Sequence, residues 1–396
     1  MAVKKGKVAG IGFGDFMKKL NKTEGIYVSD LSDWEYISTG SVFLDEALGG
    51  GWPVGRISDV YGAAGSGKSI LCLQAAQNAL LKYEDRGVFY IDTEGKIPPQ
   101  TFARFGLDAA GDIDGVPRFV FVSPDQAEQA LSVMMEALES GLFSLVILDS
   151  VDSLIMAEQD EKEVGAQQQV AAKARLLSQE LKRIAREARK SDTCVLLTSQ
   201  VRANMGAGPY GSPYTVSGGE ALKHECTVMG MIGSNSKAHV KRGDEIVSQG
   251  ANFTIKKTVN GSHADKIALR LKIDSKSDEW CVDPVFGLAD IALSDGIFNK
   301  KPSGNTITPS PVLLSALGYP EDDVKALGSI IGKSQLETLL TEDETVRGAV
   351  LDLVHAKHGK QDISEVMAGA SVDMSSDDAA MEALDFQDLE DIAIDA

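Results

Sequence analysis

The octapeptide Gly62-Ala63-Ala64-Gly65-Ser66-Gly67-Lys68-Ser69 satisfies the pattern G-x-x-x-x-G-K-[ST], and its flanks are those the pattern needs. Before it, Arg56 to Tyr61 carries the strand formers Ile57 and Val60. After it, Ile70, Leu71, Leu73, Ala75, Ala76 and Leu80 form a helical apolar face. Strand, glycine-rich loop and helix in that order gather backbone N–H groups and the positive end of a helix dipole around one point. Gly62, Gly65 and Gly67 allow the turn. The expected ligand is a nucleotide phosphate. Lys68 reaches the β- and γ-phosphates, the Ser69 hydroxyl lies on Mg²⁺, and the run from Gly62 to Ser69, with Ile70 behind it, forms the cradle. ATP and Mg²⁺ are the cofactors implied.

Two later strand ends fit the same chemistry. Gly87 to Gly95 reads as a buried strand that ends in Asp92-Thr93-Glu94, and strand alternation sends Asp92 and Glu94 to one face. A carboxylate at the carboxyl end of a parallel strand beside a P-loop can orient an attacking water. Leu142 to Leu148 is a second apolar run, closed by Asp149-Ser150. An apolar strand ending in Asp suits Mg²⁺, held directly or through water, and Asp149 lies 81 residues after Lys68, room for two strand–helix units. Between these runs, Pro98 to Leu107 reads as a helix, Arg118 to Val122 as a strand, and Ser123 to Leu138 as a helix capped by Ser123. The fold expected is α/β: a P-loop core with a largely parallel central sheet, helices on both faces, and small helical elements at each end.

Further on, Val170 to Lys190 has a helical apolar face and an outer stripe of Lys182, Arg183, Arg186, Arg189 and Lys190, which reads as a solvated cationic face. Strand Cys194 to Ser199 delivers Gln200. The 17 residues from Ala203 to Gly219 are too rich in glycine and proline for helix or strand, and so long a structureless run inside a domain is usually functional. Mobile N–H groups with Arg202 can follow phosphates, while Tyr210 or Tyr214 can wedge or stack against bases. Strands are expected over Val228 to Ile232, Ala251 to Lys257 and Ile267 to Ile273.

The stretch Ile37 to Lys68, I-S-T-G-S-V-F-L-D-E-A-L-G-G-G-W-P-V-G-R-I-S-D-V-Y-G-A-A-G-S-G-K, resembles the segment leading into the P-loop of bacterial RecA and archaeal RadA recombinases. The likeness covers roughly residues 36 to 300. It implies an ATP-dependent recombinase that polymerises as a helical filament on single-stranded DNA and pairs it with a homologous duplex, so single- and double-stranded DNA and further copies of the chain are the expected partners. A single-strand binding protein and a loading mediator are further partners the resemblance implies. It places the catalytic glutamate at Glu94, with Lys68 in the same centre, and a γ-phosphate-sensing amide at Gln200. It makes Ile155 to Gln169 the first DNA-binding loop and Ala203 to Gly219 the second, with Arg202, Asn204, Tyr210, Tyr214, Gly218 and Gly219 toward DNA. One of Lys256 and Lys257 would reach a neighbour's ATP, although the pair is adjacent here where bacterial RecA has K-x-K. Phe102 lies one position from the family's adenine-stacking residue. Trp280 to Gly296 looks like the matching segment of the T-even phage recombinase UvsX, which implies a phage or phage-like origin.

Composition limits what these motifs can serve. The formal charge is −19, but residues 361–396 hold eleven carboxylates and no Lys or Arg, which leaves −8 on the rest. A DNA site must therefore be a local basic feature on an acidic body. The acidic tail is expected to be disordered, and it reads either as a solubilising tail or as a DNA mimic. Cys72, Cys194, Cys226 and Cys281 lack metal or redox spacing and read as reduced core residues. No apolar run approaches the ~20 residues of a spanning helix. The expected location is the cytoplasm of a bacterium or of its phage-infected host. The expected organisation is an oligomerisation segment over 1–35, an ATPase core over 36–300, a small C-terminal region over 301–360 and the tail over 361–396. A hexameric RecA-fold helicase and a non-motor ATP switch remain as alternatives.

Overall fold

Parallel strands buried on both faces need near-continuous apolar runs, and this chain supplies them at regular intervals. A computed structural model describes Lys18 and residues 34–153, 166–203, 214–216, 219–258, 266–276, 280–302 and 304–358. The strands of the central sheet used below are β1 (Ile57–Gly62), β2 (Gly87–Asp92), β3 (Phe119–Val122), β4 (Phe143–Asp149), β5 (Cys194–Ala203), β6 (Tyr214–Val216), β7 (Val228–Ser234), β8 (Glu245–Lys257), β9 (Ile267–Lys272) and β10 (Cys281–Val282). Six of them pair in parallel in the order β7-β1-β5-β4-β2-β3. Beyond β7 the sheet continues antiparallel through β8, β9 and β10. It is the largely parallel α/β sheet that the spacing of apolar runs predicts.

Helix α1 (Lys68–Lys82) covers one face, and α2 (Ala127–Ser140) and α3 (Ala166–Ser191) cover the other. Alternation along each strand then divides the core. Leu71, Leu73 and Ala76 pack with Val88, Leu145, Ile147 and Leu196 on the α1 face. Met134, Leu138, Leu181 and Ile184 pack with Val146, Leu148, Val195 and Leu197 on the opposite face, where α4 (Gly219–Glu225) adds Leu222. A third apolar cluster joins Leu288, Phe298, Leu313, Leu336 and Val350 to Val42, so the helices Gly332–Glu342 and Glu344–His358 share a core with the segment before the P-loop.

That earlier segment is a brace. Ser41 accepts from the Leu44 N–H and caps the helix Val42–Leu48, while buried Asp45 accepts from the Thr39 N–H (2.6 Å) and the Ser38 hydroxyl (2.5 Å). The Ser38 carbonyl in turn accepts from Asn78 of α1 at 2.9 Å. The I-S-T-G-S…L-D text thus holds the helix that follows the P-loop.

Local chemistry overrides the sequence reading in three places. Ser123 does not cap α2, which begins at Ala127 after Gln126; its hydroxyl donates to the Asp92 carbonyl at 2.8 Å and ties β3 to the end of β2. The run from Ala203 to Gly219 is not free of regular structure, because Tyr214–Val216 pairs antiparallel with Val201–Ala203 and α4 starts at Gly219. β5 therefore extends past Gln200 as one arm of a hairpin. Strict alternation also fails at Lys256: Met229 pairs with Lys257 and Gly230 with Ile255, so Lys256 is the extra residue of a β-bulge.

The expected N-terminal segment (apart from Lys18, which is helical, and residues 34–35), most of Ile155 to Gln169 and the acidic tail lie outside the described residues. No helix among the described residues is long and apolar enough to cross a membrane.

Candidate active site

The carboxyl ends of β1, β2, β4 and β5 lie in register at one edge of the sheet. Gly62 stands beside Gln200, and Asp92 beside Asp149. This is where a parallel α/β sheet collects its ligands.

The P-loop is gripped from the antiparallel half of the sheet. Gly67 has φ +105°, and a Cβ there would lie 2.4 Å from Leu271 Cδ1; a Cβ on Gly62 would lie 2.2 Å from the Ile232 carbonyl oxygen. Only glycine fits such approaches. Gln249 of β8 donates to the Gly65 carbonyl at 3.0 Å. Ala63, Ala64 and Gly65 are exposed at the loop's crest, and Ile70 packs against the core behind it. Lys68 is nearly buried and donates to the carbonyls of Gly62 (2.9 Å) and Ala63 (2.8 Å). Desolvation lowers its pKa, against the pull of Asp149, Glu94 and Asp152. The Ser66 hydroxyl is buried and has no hydrogen-bond partner among the described residues. An unanswered buried hydroxyl, an ammonium resting on loop carbonyls and the N-terminus of a 15-residue helix form a donor set suited to phosphate.

Asp149 closes the far side of this cradle. Its Oδ2 accepts from the hydroxyls of Ser69 (2.7 Å) and Tyr90 (2.8 Å), and its Oδ1 from Thr198 (2.6 Å). With its proton committed to Asp149, Ser69 has oxygen lone pairs to offer a hard cation, so the residues fit Mg²⁺.

Asp92 and Glu94 do not share a strand face as the alternation predicts. β2 ends at Asp92, whose carboxylate turns back to accept the N–H groups of Glu94 (2.8 Å) and Gly95 (2.9 Å), with Lys96 and Ile97 farther off. Asp92 thus builds the turn, as Asp does so readily in tight loops. Glu94 is carried by that turn. Its Oε1 accepts from the Ser150 hydroxyl at 2.9 Å and the Gln200 side-chain amide at 3.2 Å, and Lys96 pairs with it at 3.2 Å. Thr93 fixes the turn to the end of β4: its N–H donates to the Asp149 carbonyl, and its hydroxyl to the Ser150 carbonyl at 2.7 Å. Asp152 accepts the Gln200 N–H at 2.5 Å.

The structure thus brings together Lys68, Ser69, Glu94, Asp149 and Gln200. Of the residues expected toward DNA, Asn204, Tyr210 and Gly218 lie outside the described residues. Arg202 and Tyr214 sit on the two arms of the β5–β6 hairpin, and Gly219 opens α4. Lys256 is exposed, whereas Lys257 donates to the Lys223 (2.7 Å) and His224 (3.3 Å) carbonyls at the end of α4. Phe102 is buried against Tyr90, Phe119 and Phe121 and is a core residue.

A family model described as the RecA N-terminal domain matches residues 16–271. The chain belongs to the RecA family. Three proteins named Protein RecA illustrate the range. That of Acinetobacter baumannii is 36% identical over 214 residues, 54% of this chain and 58% of the relative. That of Thermotoga sp. strain RQ2 is 33% identical over 271 residues, 68% of this chain and 71% of the relative. That of Chlorobaculum parvum is 32% identical over 323 residues, 79% and 81%. The chain thus spans less than two thirds of the Acinetobacter relatives it matches.

Around this RecA-type P-loop the sequence reading missed Tyr90, Ser150, Asp152 and Thr198. Tyr90 and Thr198 did leave a signal, since each is a hydroxyl inside an otherwise apolar strand run, V-F-Y-I and C-V-L-L-T. What brings them to Asp149 is the parallel register of β2, β4 and β5, which no local pattern encodes.

Proposed function

We propose that this protein is an ATP-dependent DNA recombinase, which assembles as a filament on single-stranded DNA and exchanges it with the matching strand of a homologous duplex. The observation that carries the reading is the bond from Gln200 to Glu94, because Gln200 lies on the one strand that runs from the P-loop edge into the 203–219 segment. Membership of the RecA family supports it further.

In this reading Lys68 exchanges its loop carbonyls for phosphate oxygens, and the Ser66 hydroxyl gains a partner. Ser69 and Asp149 hold Mg²⁺, which supplies charge neutralisation on the phosphates. Glu94 orients the attacking water, with Ser150 keeping the carboxylate in place. Gln200 can donate to Glu94 or to a γ-phosphate oxygen. As an uncharged amide it leaves neither with a stranded charge, so nucleotide state shifts the end of β5 and with it the hairpin carrying Arg202 and Tyr214. Arg202, Asn204, Tyr210, Tyr214, Gly218 and Gly219 then meet DNA through its backbone and base faces, and base pairing between DNA strands supplies the sequence match. Residues 1–35 serve assembly, 36–300 are the motor, and exposed Lys256 is the lysine that reaches the neighbouring subunit's nucleotide.

The test is steady-state ATP hydrolysis with and without single-stranded DNA, paired with electron microscopy of the ATP-bound complex. Strong stimulation by DNA together with open helical filaments is expected. Turnover indifferent to DNA sinks the reading, and closed rings move it to a translocating helicase.

A further inference from the structure

Asp149 accepts three side-chain hydroxyls at the strand ends, and one of its donors has no place in the P-loop or in the strand that carries the sensor amide. Tyr90 points from the middle of β2 and is fully buried, its ring packed edge-on or tilted against Phe102, Phe119 and Phe121. A phenol in such a setting must find a partner. Its hydroxyl donates to Asp149 Oδ2 at 2.8 Å, on the same oxygen that accepts Ser69. Thr198, equally buried, takes Oδ1.

A carboxylate has about four lone-pair positions, and here three face hydroxyl donors. Two consequences follow. The carboxylate cannot rotate without breaking bonds on both oxygens. It also has little capacity left for direct ligation, so its influence on a cation passes through the Ser69 hydroxyl and through water. Partners behind a metal-binding group commonly set its orientation, and losing one costs about 10- to 100-fold in metal affinity.

We propose that Tyr90 is a positioning residue for the divalent cation: by holding Asp149 Oδ2 from behind, it orients the Ser69 hydroxyl and sets the Mg²⁺ affinity of the nucleotide site. This rests on the phosphate-binding reading of the P-loop, though not on any role in strand exchange. Phenylalanine is the conservative replacement, because the ring already sits among three phenylalanines and loses only the hydroxyl.

The experiment measures binding of a fluorescent, slowly hydrolysed ATP analogue to the full chain, first in EDTA and then across a Mg²⁺ titration, for the parent, Tyr90→Phe and Thr198→Val. In EDTA the parent and Tyr90→Phe should bind alike, which also shows that the variant is folded. Under Mg²⁺ the concentration giving half of the affinity gain should rise about tenfold in Tyr90→Phe, with a change in the same direction for Thr198→Val, which removes the donor on the other oxygen. A Tyr90→Phe titration within twofold of the parent, with EDTA binding preserved, overturns the assignment of Tyr90 alone. A parent whose nucleotide affinity does not respond to Mg²⁺ overturns the metal reading of Ser69 and Asp149 together with it.

Discussion

The two faces of the central sheet each bury an acid near the P-loop, and they treat it in opposite ways. On the α1 face Asp149 is met by three hydroxyls, from Ser69, Tyr90 and Thr198. On the opposite face Asp59, in the middle of β1, is fully buried and accepts from the Ser199 hydroxyl alone at 2.8 Å; its Oδ2 has no partner among the described residues. Burial, with a further push from Asp152, raises the Asp59 pKa to about 7, only partly countered by Ser199 and Lys68. The two acids, on strands separated in the sheet by β5, differ in that Asp149 has hydroxyl donors on both oxygens while Asp59 keeps one oxygen without a partner among the described residues. Asp149 is a fully engaged acceptor, placed where the proposed function puts a cation. Asp59 is a buried carboxyl that stays protonated in mildly acidic solution, next to the strand residue that precedes Gln200.

The largest effect that can break this contrast is on chemistry at the strand ends. Glu94→Gln keeps the side-chain shape and an acceptor for Ser150 but removes the charge that the proposed mechanism uses to align water. It should lower ATP turnover about 10²- to 10⁴-fold while leaving nucleotide binding within a few-fold. Ser199→Ala, on the other face, should leave turnover within about threefold. If both variants lose turnover equally, the faces are not functionally distinct.

Next in size is nucleotide binding. Lys68→Ala removes a charge-assisted donor and should weaken ATP analogue binding roughly 10- to 100-fold, as expected for a hydrogen bond to a charged group. Asp59→Asn should leave that affinity unchanged, since Asp59 lies on the face away from the phosphates; equilibrium titration decides it.

The pH dependence of stability sharpens the comparison further. The Asp59 pKa rises on folding from 3.8 to about 7, so the folded state holds its proton more tightly than the unfolded chain. Below the unfolded value both states are protonated and nothing is lost. As pH climbs from about 4 to about 7 the unfolded chain ionises first and stability falls, and above about 7 the whole penalty is present. Asp59→Asn removes that penalty, at the cost of an amide N–H₂ in the place of Oδ2. The net gain is about 1 to 3 kcal/mol at pH 8, shrinking toward pH 5. Calorimetric melting at both pH values tests it, and a difference that does not vary with pH means Asp59 is not the neutral acid described.

What was legible in the sequence follows the same division. Contacts within a short span could be read: the P-loop with its flanking strand and helix, and the acid at the end of β4. Contacts made by strands lying side by side could not, because Tyr90, Asp149 and Thr198 are separated in the chain by 59 and 49 residues and meet only through register. Local rules also failed where a side chain found a better partner. Asp92 left the alternation to bind the N–H groups of its own turn, and Ser123 left the α2 cap for the Asp92 carbonyl. The bulge at Lys256 was hidden for a related reason, since two adjacent lysines look like opposite faces of a strand until the pairing with β7 is known.

Those lysines supply the smallest expected effect. Lys257 donates to the last carbonyls of α4, where a cation also meets the negative end of the helix dipole. Lys257→Ala should therefore cost about 0.3 to 1 kcal/mol and loosen α4 on the Asp59 face. Lys256, the exposed bulge residue, touches no such group among the described residues, and Lys256→Ala should leave the melting temperature where it is. If Lys256 reaches a neighbouring subunit, its loss should appear instead as reduced DNA-stimulated turnover with intact nucleotide binding. The opposite pattern, a stability loss at Lys256 and a turnover loss at Lys257, would reassign the two and place the bulge in the scaffold of the Asp59 face.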